Sequence, residues 1–164
     1  MDAAPIWIRE KPRRVKLAIT TMCTAAGPRP TLSRVLHLAF KWTLGAPLQH
    51  SSLHITLHTN NVTCLQPLLA KIEPPPRVHV RTWEAELKGL LLSHEHFVEW
   101  NRTLYSVGKK ARPIPDLFIY LEDDIELTAE VLDAWWRDSA LFDAVGLRAA
   151  GFTRDFYREE RKHG

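Results

Sequence analysis

The chain is poor in glycine and has no glycine-rich cradle for phosphate. Its seven glycines form neither Gly-x-Gly-x-x-Gly nor a P-loop, so a nucleotide, if bound, is held by other means. Cysteine is scarce. Cys23 and Cys64 do not fall at metal-ligand spacing, and two readings stay open for them, free buried thiols or one disulfide. No apolar run approaches the roughly 20 residues that span a bilayer, and the N-terminus lacks the apolar centre of a signal peptide. No membrane span is therefore expected. The formal charge of +3 is modest. Basic residues are scattered apart from small clusters at Lys11–Lys16 and Arg158–His163, and the lack of a long basic stripe argues against nucleic-acid binding. Neither repeats nor low-complexity segments occur. What is present is the ordinary material of one globular domain: 164 residues, 45% hydrophobic and 25% charged, enough to bury a core.

The pattern along the chain alternates. Residues 15–22 read as a strand, followed by a break at Gly27-Pro28. Thr31 is placed to cap a helix whose Leu32, Val35, Leu36, Ala39 and Phe40 share one face, and Gly45 is expected to stop it. Leu53–Thr59 reads as a second strand ending at Asn60-Asn61. Residues 64–72 read as a short helix closed by prolines 74–76. Val78–Trp83 is a third strand, and 84–107 is helical, with Leu87, Leu90, Leu91, His94, Phe97, Val98, Asn101, Leu104 and Tyr105 on one stripe. Pro113 and Pro115 precede a fourth strand at 117–121. Thr128 then caps a helix through Val131, Leu132, Trp135 and Trp136, and Phe142–Ala150 is a candidate fifth strand. This β-α-β-α-β-α-β-α-(β) order predicts an α/β, Rossmann-like fold: a mainly parallel sheet with helices on both faces. Residues 1–14 read as an N-terminal extension, 15–153 as the domain, and 154–164 as a charged tail.

The fourth strand carries the chemistry. Leu117-Phe-Ile-Tyr-Leu121 runs straight into Glu122, Asp123 and Asp124. A short unbroken apolar run predicts a central strand buried on both faces. Ligands in open α/β sheets sit outside the carboxyl ends of strands, where these acids fall. Three carboxylates crowded together need a positive partner, and a hard divalent cation, Mg²⁺ or Mn²⁺, suits oxygen ligands.

A Rossmann-like half whose fourth strand ends in Glu-Asp-Asp before a capped helix resembles the GT-A glycosyltransferases. The matching stretch is Tyr120–Leu127 and the helix up to Trp136, most similar to the Glu-Asp-Asp variant of the DXD motif in N-acetylglucosaminyltransferase I and its relatives. The resemblance implies a GT-A-like nucleotide-binding half of a glycosyltransferase of the hexosyltransferase type, using Mn²⁺ or Mg²⁺. The implied donor is a nucleoside-diphosphate sugar, a UDP-sugar first of all, with the acceptor unknown. Laid on this sequence, Asp124 ligates the metal, Asp123 assists through ribose or a metal-bound water, and Glu122 faces ribose or base. The chemistry is coherent, because a cation stabilises the charge that builds on a departing diphosphate. Strand-end geometry adds Thr20, Thr21 and Asn60 as donor contacts. In the helix before the acids, His94 and Arg102 are candidates, although the His-Arg pair of related sequences reads His94-Glu95 here. Gly151-Phe152-Thr153-Arg154-Asp155 also resembles a segment of related enzymes, and Asp155 is the candidate for a catalytic carboxylate. The resemblance implies a Golgi or secretory lumen; without it the chain reads as cytoplasmic. Two sequons, Asn61-Val-Thr63 and Asn101-Arg-Thr103, hint at a secretory compartment.

Plainer roles stand beside these. The acids can favour the start of the next helix, although capping needs only one. His94 can be a hydrogen-bonded histidine on an apolar face. His54 and His58 are expected to be exposed on a strand's polar side. The His94–Glu95–His96 cluster looks metal-like, but adjacent helix positions point apart. Only one of Trp135 and Trp136 can face inward, and Asn60-Asn61 can be a simple turn. Two other functional classes follow. One is a phosphatase or phosphoacceptor domain, disfavoured because the first two strand ends offer no carboxylate. The other is a catalytically inactive remnant acting as a binding module, raised because little chain follows the acids to form an acceptor-binding half.

Overall fold

The computed structural model describes residues 12–45, 48–85 and 115–144. Four parallel strands form the sheet: β1 (Arg14–Thr21), β4 (Ser52–Thr59), β5 (Val78–Glu84) and β6 (Leu117–Glu122), in the order β5-β4-β1-β6. A two-stranded antiparallel ribbon, β2 (Cys23–Thr24) and β3 (Gly27–Pro28), follows β1. The helices are α1 (Thr31–Trp42), α2 (Val62–Leu69) and α3 (Ala129–Ala144). The expected parallel α/β, Rossmann-like architecture is therefore present.

Strand alternation divides the sheet into two unlike faces. On one, Val15, Leu17 and Ile19 of β1 lie in register with Leu53, Ile55 and Leu57 of β4 and with Leu117, Ile119 and Leu121 of β6. These residues form one buried cluster with Leu32, Val35 and Leu36 of α1, Leu65 of α2, and Leu132 and Trp136 of α3. All three described helices thus share one face. The helix expected at 84–107, with its apolar stripe, falls almost wholly in 86–114, outside the described residues. The opposite face carries Lys16, His54 and His79 in one row and Thr20, His58 and Trp83 in another.

Several local expectations are corrected. Among the described residues the central strands are β1 and β4, each continuously buried over its second half, whereas β6 alternates buried and half-buried positions. Among the described residues β6 pairs only with β1, so its apolar run reflects β propensity more than two-sided burial. Pro30, not Thr31, holds the N-cap position of α1, with no side-chain cap bond. The turn is closed by the backbone instead, Leu32 N donating to Arg29 O at 3.1 Å. The helix ends at Trp42, ahead of Gly45, where the Thr43 hydroxyl donates to Phe40 O. α2 starts two residues earlier than its apolar pattern suggests, because the Asn61 side chain accepts from Cys64 N at 3.2 Å. Residues 142–144 are helical, against the fifth strand expected from Phe142; the rest of that segment is outside the described residues. His58 is buried, not exposed, because the second half of β4 is covered on both faces. Of the tryptophan pair, Trp136 enters the core and Trp135 packs partly buried beside it.

Two further features fasten the fold. Asp116, just before β6, accepts from Arg13 N and Arg14 N at 2.9 and 2.8 Å. Burial pushes its carboxyl up, but these backbone bonds and the Arg14 guanidinium outweigh that and hold it below the usual range. Cys23 and Cys64 form a disulfide, settling the open alternative and joining the ribbon to α2.

Two outcomes follow. Cross-linking residues 41 apart in sequence removes unfolded-state entropy worth about 4 kcal/mol. The double variant Cys23→Ser/Cys64→Ser should lose stability of that order in urea unfolding, and an unchanged midpoint would disprove the cross-link's role. His54 stacks on His79 with ring centroids 4.8 Å apart. Burial first, then the positive neighbours His79, Lys16 and Arg81, lower its pKa from 6.5. The unfolded chain therefore takes up this proton more readily than the folded one. Stability should decline as pH falls below 6.5 towards the lowered folded value, and His54→Gln should flatten that part of the pH profile.

Candidate functional site

All four strands point the same way, so their carboxyl ends form one edge. From β1 the chain steps through α1 to β4 and through α2 to β5, moving away in one direction. It then returns to the other side of β1 as β6. The direction of winding reverses between β1 and β6, and in open α/β sheets such a switch point opens the crevice where ligands bind. Thr20 and Thr21 end β1 at this point, and Glu122 ends β6, with Asp123 and Asp124 in the turn that follows.

The acids do not act as one cluster. Thr20 and Glu122 are in register, so Glu122 lies on the sheet face opposite the helix-bearing core and Asp123 on the core side. Asp123 is buried, and its backbone N–H extends the ladder to Thr20 O at 3.1 Å. Its carboxylate is fully engaged. The Thr21 hydroxyl donates to Oδ2 at 2.6 Å, and Arg29 Nη1 reaches Oδ1 at 3.2 Å. The same Arg29 nitrogen meets Asp124 Oδ2 at 3.1 Å. The Asp124 side chain is 45% exposed and is the accessible carboxylate of the pair. The Arg29 guanidinium is thus a positive partner to both Asp123 and Asp124.

The loop after the acids is held from two sides. The Trp42 indole N–H donates to Leu127 O at 2.8 Å in a buried bond. Thr128 caps α3 as expected, its hydroxyl accepting from Val131 N. That hydroxyl also bonds the Glu130 carboxyl, which, with Glu130's own backbone N–H, holds the group below its usual range.

Other expected contacts are brought to this edge, but with their polar atoms committed to the fold. The Thr20 hydroxyl is 3.0 Å from the Tyr120 hydroxyl. Asn60 clamps Cys23, accepting from its N–H at 2.8 Å and donating to its carbonyl at 3.1 Å. His94, Arg102 and Asp155 lie outside the described residues. Arg29 had no place among the expected site residues. Its signal was positional: a cation directly after the Gly27-Pro28 break, in the connection leaving the carboxyl end of the first strand.

Among the described residues no three His, Cys, Asp or Glu side chains gather around a point suited to a metal ion. Magnesium-type sites, however, are often built from one or two carboxylates completed by substrate phosphates and water, and an exposed Asp124 beside Asp123 fits that pattern. No described helix is long and apolar enough to cross a membrane. In comparison with known proteins, the chain matches no family model, no curated protein and no solved structure.

Thr21→Val keeps the shape of the side chain and removes the donor to a buried carboxylate. The variant should be destabilised by about 1–3 kcal/mol in denaturant unfolding. Wild-type stability would show that Asp123 does not depend on that hydroxyl.

Proposed function

We propose that this chain is the donor-binding half of a metal-dependent glycosyltransferase, holding a nucleoside-diphosphate sugar, with a UDP-sugar as the first candidate. The reading rests on one observation above all: an exposed aspartate, Asp124, paired with a buried one, Asp123, at the switch point of a parallel sheet. The Glu122-Asp123-Asp124 resemblance to the GT-A motif adds the substrate class. In this reading Asp124, supported by Asp123, holds Mn²⁺ or Mg²⁺. The cation, when bound, stabilises negative charge developing on the diphosphate leaving group. Asp123, locked by Thr21, keeps the turn rigid so that Asp124 is presented at a constant position. Thr20, Thr21 and Asn60 shape the floor beneath the nucleotide rather than donating freely to it. The Cys23–Cys64 disulfide fits an oxidising compartment such as the secretory lumen.

A second reading draws support from the completeness of the Asp123 contacts. With both carboxylate oxygens satisfied by Thr21 and Arg29, the acid pair can serve as a brace in a fold retained for binding alone.

Calorimetric titration separates the two. UDP should bind the chain in the presence of Mn²⁺ and far more weakly in its absence. Asp124→Ala should weaken the metal-dependent binding by at least roughly 10–100-fold. A folded chain that binds UDP neither with nor without Mn²⁺ would remove the transferase reading and leave the brace.

A further inference from the structure

We propose that Arg29 is a displaceable internal counter-ion, which surrenders the Asp123–Asp124 pair when a diphosphate and a divalent cation arrive together. This makes the binding of the two ligands cooperative. The inference rests on the donor-site reading above and concerns how that site is regulated.

The backbone of Arg29 is fixed. The preceding ribbon is tied to α2 by the disulfide and to the end of β4 by the two Asn60 bonds. Its turn is made by Gly27 at φ 105°, which favours glycine, with the Thr24 hydroxyl donating to Gly27 O. The Arg29 carbonyl closes the first turn of α1. The side chain is held much less firmly. It is 53% exposed, and a single nitrogen, Nη1, serves both carboxylates. Among the described residues Nε and Nη2 make no hydrogen bond. The two-pronged contact that makes arginine–carboxylate pairs strong is therefore not formed. A rigid base with a long, half-exposed arm lets the guanidinium move without disturbing the fold.

Electrostatics supplies the exchange. The guanidinium and a divalent cation compete for the same carboxylate oxygens and repel each other. A cation arriving alone must displace Arg29 with no compensation. A diphosphate arriving with it offers Arg29 a planar pair of oxygens that the unused Nε and Nη2 can grip bidentately. The ligands then assist each other, and Arg29 transmits the coupling.

The test uses the full 164-residue chain, with Mn²⁺ and UDP as probes. Free Mn²⁺ is read by electron paramagnetic resonance and UDP by calorimetry. For the wild type, UDP should tighten Mn²⁺ binding by about 10–100-fold. Arg29→Gln should bind Mn²⁺ alone about tenfold more tightly than wild type, and should lose most of the mutual enhancement. The inference is overturned if Arg29→Gln binds Mn²⁺ no more tightly and keeps the full coupling. It is equally overturned, with no variant needed, if wild type binds both probes with affinities independent of each other. The first result leaves the donor-site reading standing, whereas the second also removes the metal dependence of that reading. A wild-type chain that binds no UDP under any condition removes that reading, and this inference with it.

Discussion

A carboxylate buried at the end of a sheet must be paired, because an unpaired buried charge is costly. The carboxyl edge of this protein is organised around satisfying Asp123. One oxygen takes the Thr21 hydroxyl from the neighbouring strand, which only the parallel register of β1 and β6 can deliver. The other takes Arg29, delivered by a ribbon whose position depends on Asn60 and the disulfide. The sheet pairing, the ribbon, the start of α1 and the cross-link to α2 all converge on one side chain. The exposed neighbour Asp124 inherits its position from that arrangement.

This convergence explains why the edge suits both structure and chemistry. The Thr20 hydroxyl meets Tyr120, Thr21 and Arg29 hold Asp123, and Asn60 holds the Cys23 backbone. Asp124 and the arm of Arg29 are the members left at the surface, one acidic and one basic, sharing a single contact. The edge thus combines a floor of committed side chains with two half-exposed opposite charges, Asp124 and Arg29.

Much of the architecture was legible because periodicity survives in the residues themselves. The apolar alternation of Leu53–Thr59 and the one-sided stripe of Leu32, Val35, Leu36, Ala39 and Phe40 each define an element whatever it packs against. Element ends were less legible. Asn61 caps α2 through a side-chain bond three residues on, and the backbone rather than Thr31 closes the first turn of α1. His58 read as polar and therefore exposed, yet burial depends on what lies over the strand rather than on the residue. The acidic triplet was legible as a site, but not as two carboxylates on one side and a third on the other.

The sequence by itself determined that a strand ends in Glu122, Asp123 and Asp124 before a capped helix, within an alternating chain that must build a parallel sheet. These are local properties of propensity and spacing. Only the tertiary structure brought Arg29 to the acids and joined the two cysteines. Arg29 lies 94 residues from Asp123, and Cys23 lies 41 from Cys64. Pairings across such distances follow from strand order and register, which bring chain-distant residues within hydrogen-bonding reach and leave no trace in local sequence.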